Sequence, residues 1–162
     1  MLKKRICALL VILLFFFASC NAKDNRNPND LPGITIPLEK MNTNFVIEDL
    51  PVKANSHEND KRLDLVLRNL SDKTIVFSSD FGLSIFAFQD QAWNLVQNSM
   101  NYANSEKVLP TSDAFPPGLV AIAYPYIPGL MGPTKIRIVM IGHDENSDTE
   151  VVGAYIDITL LP

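Results

Sequence analysis

The chain is poor in the residues that build cross-links and metal centres. Its 162 residues include only two cysteines, Cys7 and Cys20, and two histidines, His57 and His143. That shortage argues against a zinc site, which needs several Cys or His ligands together. Positive charge is also scarce: 14 Lys and Arg stand against 18 Asp and Glu, for a net charge of −4. This excludes a basic nucleic-acid-binding surface and a polybasic patch for anionic lipid. There is no Gly-x-Ser-x-Gly, no Ser-x-x-Lys with its supporting motifs and no glycine-rich phosphate loop. No enzymatic constellation is legible, and no cofactor or metal is implied. Helical periodicity is missing beyond the first twenty residues.

What is present begins at the N-terminus. Lys3-Lys4-Arg5 precedes an apolar run from Ile6 to Ala18, followed by Ser19-Cys20. The run is well short of the roughly 20 residues a helix needs to cross the hydrocarbon core. A basic start, an apolar middle and small residues at the end are the layout of a secretory signal peptide. The segment Phe17-Ala18-Ser19-Cys20 resembles the lipobox of bacterial lipoproteins, with Phe17 where that family usually has Leu. The resemblance implies acylation of the Cys20 thiol, cleavage before it, and attachment to a lipid bilayer outside the cytoplasm, in the periplasm or at the cell surface. An ordinary signal peptide cut near Ala18-Ser19 is the alternative.

Three segments are expected: a signal peptide over 1–19, a lipidated N-terminus and flexible linker over 20–37, and a folded domain over 38–162. Cleavage would remove Cys7 and three positive charges, leaving a more acidic domain with neither a disulfide nor a free thiol. Attachment must then come from acyl chains, two or more of which hold a protein firmly. Asn21 to Asp30 has no large apolar residue, and such composition cannot offset the entropy of ordering. Pro28, Pro32 and Pro37 favour extended chain.

The remainder reads as all-β. In the last segment Val152, Ala154, Ile156, Ile158 and Leu160 alternate with Val151, Gly153, Tyr155, Asp157 and Thr159, the period of two of a strand with one apolar face. Leu63, Leu65 and Leu67 do the same. Further strands are expected at Asn44–Glu48, Thr74–Ser78, Gln91–Gln97, Gly118–Tyr126 and Lys135–Ile141. Leu83–Gln89, dense in Ile85, Phe86 and Phe88, reads as a strand covered on both faces. Ser56–Arg62 and Asn98–Lys107 admit a helical turn. About seven to eight short antiparallel strands separated by turns predict an immunoglobulin-like two-sheet β-sandwich.

The order Leu65-x-Leu67-x-Asn69-x-Ser71-Asp72-Lys73-x-Ile75-x-Phe77, then Ile85-x-Ala87-Phe88-x-Asp90-x-x-Trp93, then Phe115-Pro116-Pro117-Gly118, resembles bacterial Ig-like domains. It is weakly similar to the intracellular protease-inhibitor domain family. The matching residues imply a fold; Gln91 stands where that family often has Gly, and no inhibitory loop carries over.

Few residues invite a functional reading. Tyr124, Tyr126, Ile127, Leu130 and Met131, set among Pro and Gly, form a candidate partner surface; the structural reading is a loop burying its own small cluster. His57 sits in a polar loop. His143 to Glu150 gathers four carboxylates, as an oxygen-rich calcium loop would, without EF-hand spacing. Asn69-Leu70-Ser71 matches a glycosylation sequon but is sufficiently explained as a turn. The expected function is a membrane-anchored, non-catalytic binding or assembly module, its partner an envelope protein or a glycan. The alternatives are an envelope protease inhibitor or a structural spacer.

Overall fold

A computed structural model describes residues 31–49, 62–112, 118–123 and 132–160. The described residues are all-β. Among them nine strands follow a 3-10 turn at Leu38–Lys40: β1 (Phe45–Asp49), β2 (Arg62–Asn69), β3 (Ile75–Phe77), β4 (Ser84–Gln89), β5 (Ala92–Val96), β6 (Lys107–Leu109), β7 (Gly118–Ala123), β8 (Thr134–Asp144) and β9 (Ser147–Leu160). The smaller sheet has the order β1-β2-β7; the larger has β5-β4-β8-β3-β6, with β9 also on β8. Every pairing is antiparallel. The first, second and seventh strands thus oppose a sheet built on β4, β5, β8 and β9, which is the immunoglobulin-type division of strands.

Alternation places the core. Phe45, Ile47, Leu65, Leu67 and Val120 of the smaller sheet meet Ile75, Phe77, Ile85, Ala87, Ile136, Ile138, Met140, Val152 and Ala154 of the larger. Phe45 and Phe77 close the gap edge to face, with ring centres 5.3 Å apart. The period-two readings of β2 and β9 therefore point Leu63, Leu65 and Leu67, and Val152, Ala154, Ile156 and Ile158, inward as expected.

β3 and β4 run along the same edge of β8, pairing with Gly142–Asp144 and Ile136–Val139 respectively. They are one strand path interrupted by the turn Ser78–Leu83. Gly82 makes the interruption possible: its φ is +55°, and a β-carbon there would lie 2.2 Å from the Ile141 carbonyl oxygen. Ser78 Oγ and Asp80 Oδ1 accept the Gly82 N–H at 2.9 and 3.1 Å. The β4–β5 hairpin turns on Asp90 and Gln91, both at positive φ, as a two-residue hairpin of this handedness requires.

Phe86 is fully buried although it points away from the core, so β4 is covered on both faces as its composition suggests. The cover is the segment before β1. Leu31 and Met41 are buried with Phe86, Trp93 and Val139, and Ile34, Ile36 and Leu38 pack on the same cluster. The Asn42 N–H donates to the Gly153 carbonyl at 3.0 Å, and Asn42 Oδ1 accepts from the Tyr155 N–H at 2.8 Å.

Three expectations change. Residues 31–37, expected within a flexible linker, pack on the larger sheet, because Leu31, Ile34 and Ile36 supply the apolar side chains that Asn21–Asp30 lacks. Asn98–Lys107 forms no helical turn; it is irregular up to Lys107, which opens β6, a strand too short to show a period. β8 is longer than Lys135–Ile141, extending to Asp144. Ser56–Lys61, Phe115–Pro117 and Tyr124–Tyr126 lie outside the described residues.

Candidate functional site

Cys20, Tyr124, Tyr126, Ile127, Leu130, Met131 and His57 all lie outside the described residues. Within those described, the densest polar arrangement is on the outer face of the larger sheet. Arg137 of β8 stands opposite Asp157 of β9 and Phe86 of β4. Its Nε and Nη2 donate to the two Asp157 oxygens at 2.7 and 2.9 Å. The Trp93 and Tyr155 rings hold the guanidinium between them, with centres 4.6 and 4.5 Å from its central carbon. Lys135 Nζ reaches Asp157 Oδ2 at 3.0 Å.

Arg137 is only 7 % exposed. Its Nη1 is buried without a hydrogen-bond partner among the described residues, and the two aromatic faces supply the remaining electrostatic stabilisation, worth up to ~2 kcal/mol per desolvated pair. Burial pushes the Asp157 carboxyl upward, but hydrogen bonds from Arg137 and Lys135 outweigh it, and its pKa falls below the ordinary value. The arrangement is a charge clamp that joins β8, β9 and β5.

The acidic loop has a different use. Lys73 Nζ, just before β3, contacts Glu150 Oε2 at 2.7 Å and Asp144 Oδ2 at 3.0 Å. Hydrogen bonds to Glu150 and then Asp144 raise the Lys73 pKa well above its usual value. The Asn146 N–H and then Lys73 lower that of Asp144. His143 Nε2 lies 3.6 Å from the exposed Asp148. Among the described residues no three acidic, His or Cys side chains converge as a metal site; two of the loop's carboxylates serve Lys73.

Asn69 is a buried organiser. Its amide nitrogen donates to the Lys73 and Pro110 carbonyls, each at 2.7 Å, and its oxygen accepts from the Ser71 N–H and hydroxyl at 2.9 and 2.8 Å. The nitrogen a glycan would modify is thus engaged and 94 % of the residue is covered, its exposure being 6 %.

At the open edge of the larger sheet, Leu95 of β5 is 64 % exposed, and Phe88 beside it is 37 % exposed. Phe88 packs on Trp93 with ring centres 5.2 Å apart. Sequence reasoning singled out none of Arg137, Tyr155, Asp157 or Leu95 as a site. Arg137 and Asp157 are twenty residues apart, and only the β8–β9 register makes them neighbours.

No family model matches the chain, and neither the curated proteins nor the solved structures contain a significant match.

Proposed function

We propose that the chain is a lipoprotein, anchored in a bilayer through acylated Cys20 and facing outside the cytoplasm, whose β-sandwich is a non-catalytic binding or assembly module. The observation that carries the anchor is the coincidence of Lys3-Lys4-Arg5, the Ile6–Ala18 run and Ser19 on one cysteine, since a signal of that layout ends where its processing site begins. Its partners are the bilayer and an envelope protein or glycan, met through the segment carrying Tyr124, Tyr126, Ile127, Leu130 and Met131. Support for a non-catalytic role comes from the polar groups of the sandwich: Asn69, Asp144, Arg137 and Asp157 are engaged in holding strands together.

The packing of Leu31 shortens the leash. Ten residues, Asn21–Asp30, would separate the anchor from the folded unit, a reach of at most roughly 33–36 Å. The module would therefore work close to its membrane.

Cys20→Ser tests the anchor: lipid labelling disappears and the precursor stays uncut. Unchanged membrane retention and processing in that variant contradict the proposal. For the module, crosslinking in intact membranes captures a specific partner that Tyr126→Ser with Met131→Ser releases; capture unaffected by the double change contradicts that surface. Protease inhibition, the reading favoured by the weak Ig-family resemblance, is tested by titrating the protein against a protease panel.

A further inference from the structure

We infer that β5 is a self-pairing edge through which two copies of this chain join their larger sheets about a two-fold axis at Asn94. Nothing pairs with the outer side of β5 among the described residues. Natural edge strands carry charges, prolines or covers that block such pairing. β1 has Glu48 and Asp49, β6 has Lys107, and β9 has Asp148, Glu150 and Asp157. Two edge strands carry neither charge nor proline, β7 (Gly118–Ala123) of the smaller sheet and β5 (Ala92-Trp93-Asn94-Leu95-Val96) of the larger; β5 in addition exposes a large apolar side chain, Leu95.

The register follows from the hairpin. Asp90 and Gln91 form a two-residue turn, so Gln89 and Ala92 are its closing hydrogen-bonded pair. Backbone groups then alternate, and those of Trp93 and Leu95 point away from β4. An antiparallel second copy centred on Asn94 sets Trp93 opposite Leu95 of the partner subunit, and Leu95 opposite its Trp93, with both hydrogen-bonding rows satisfied. Leu95, 64 % exposed in the single chain, gains an aromatic neighbour on the face that already holds Phe88. The second copy is the occupant these residues specify, because the strand is complementary to itself in this register and offers no charge to select a different partner. A five-residue edge covers less than the ~1,200 Å² of a standard interface, so the dimer is weak and exchanges.

The test is register-specific crosslinking of detergent-solubilised full-length protein carrying Cys7→Ser and Cys20→Ser, which makes it independent of lipid anchoring. The two Asn94 positions form a non-hydrogen-bonded pair about 4.5 Å apart at Cα, within disulfide range. Asn94→Cys is expected to give a covalent dimer several-fold faster than Val108→Cys, exposed on β6, or Leu95→Cys, whose thiols do not meet. Adding Leu95→Lys to Asn94→Cys suppresses the dimer while circular dichroism stays unchanged. Crosslinking of Asn94→Cys no faster than that of Val108→Cys, or insensitive to Leu95→Lys, overturns the inference.

Discussion

The two apolar layers of this molecule are built by different means. The layer between the sheets is symmetrical in origin: two sheets each offer an alternating apolar face, and side chains such as Phe45, Phe77, Ile136 and Ile138 interlock. The layer outside the larger sheet is asymmetrical. One wall is sheet; the other is Leu31–Met41, an extended segment with a single 3-10 turn. The inner layer is purely apolar at its centre, whereas the outer one ends in the Arg137–Asp157 clamp. The comparison teaches that a short irregular segment can bury a sheet face when the sheet supplies both a groove and a polar border.

The largest expected loss is in the inner layer. Phe77→Ala removes a fully buried ring and should cost about 3–5 kcal/mol in denaturant unfolding. Next is the clamp: Asp157→Ala leaves Arg137 buried without its carboxylate and should cost about 3 kcal/mol, whereas Arg137→Met combined with Asp157→Leu recovers most of that. A loss from the double change as large as from the single one would show that the ion pair itself, not the stranded charge, sets the cost.

The clamp also fixes a pH dependence. The folded pKa of Asp157 is lowered, so between the unfolded value, about 3.9, and the folded one the unfolded chain binds more protons. The stabilisation is complete above about pH 4 and is lost as pH falls through the folded pKa. Asp157→Asn should flatten that part of the stability curve.

Smaller effects separate the layers further. A β-carbon at Gly153 would lie 3.0 Å from Ile36 Cδ1, so Gly153→Val should push Ile36 off the sheet and cost about 1–3 kcal/mol. Proteolysis near residues 31–41 would quicken while the inner aromatic signals stay fixed. Gln91 holds a left-handed backbone with φ of 63°, and Gln91→Gly should stabilise by about 1 kcal/mol.

The inner layer was legible because period two is a local signal: Leu63/Leu65/Leu67 and Val152/Ala154/Ile156/Ile158 name their face without knowledge of any neighbour. The outer layer was half legible. Phe86 between Ile85 and Ala87 announced a second covered face, but Leu31, Ile34 and Ile36 sit among Pro32, Gly33 and Pro37, which read as linker. The Arg137 clamp depends on strand register, and the self-pairing edge on the turn at Asp90-Gln91; neither is a property of a local window. The signal and Cys20 stand on sequence alone.

That Leu31–Met41 belongs to the folded unit is the claim on which the outer layer and the short leash both rest. Thermal unfolding of chains beginning at residue 31 and at residue 42 tests it most directly. Loss of the buried Leu31 and Met41 alone removes about 3–6 kcal/mol of apolar burial. The longer chain should melt many degrees higher, and the shorter should show an exposed Trp93. Equal melting temperatures and an unchanged tryptophan environment would contradict the account.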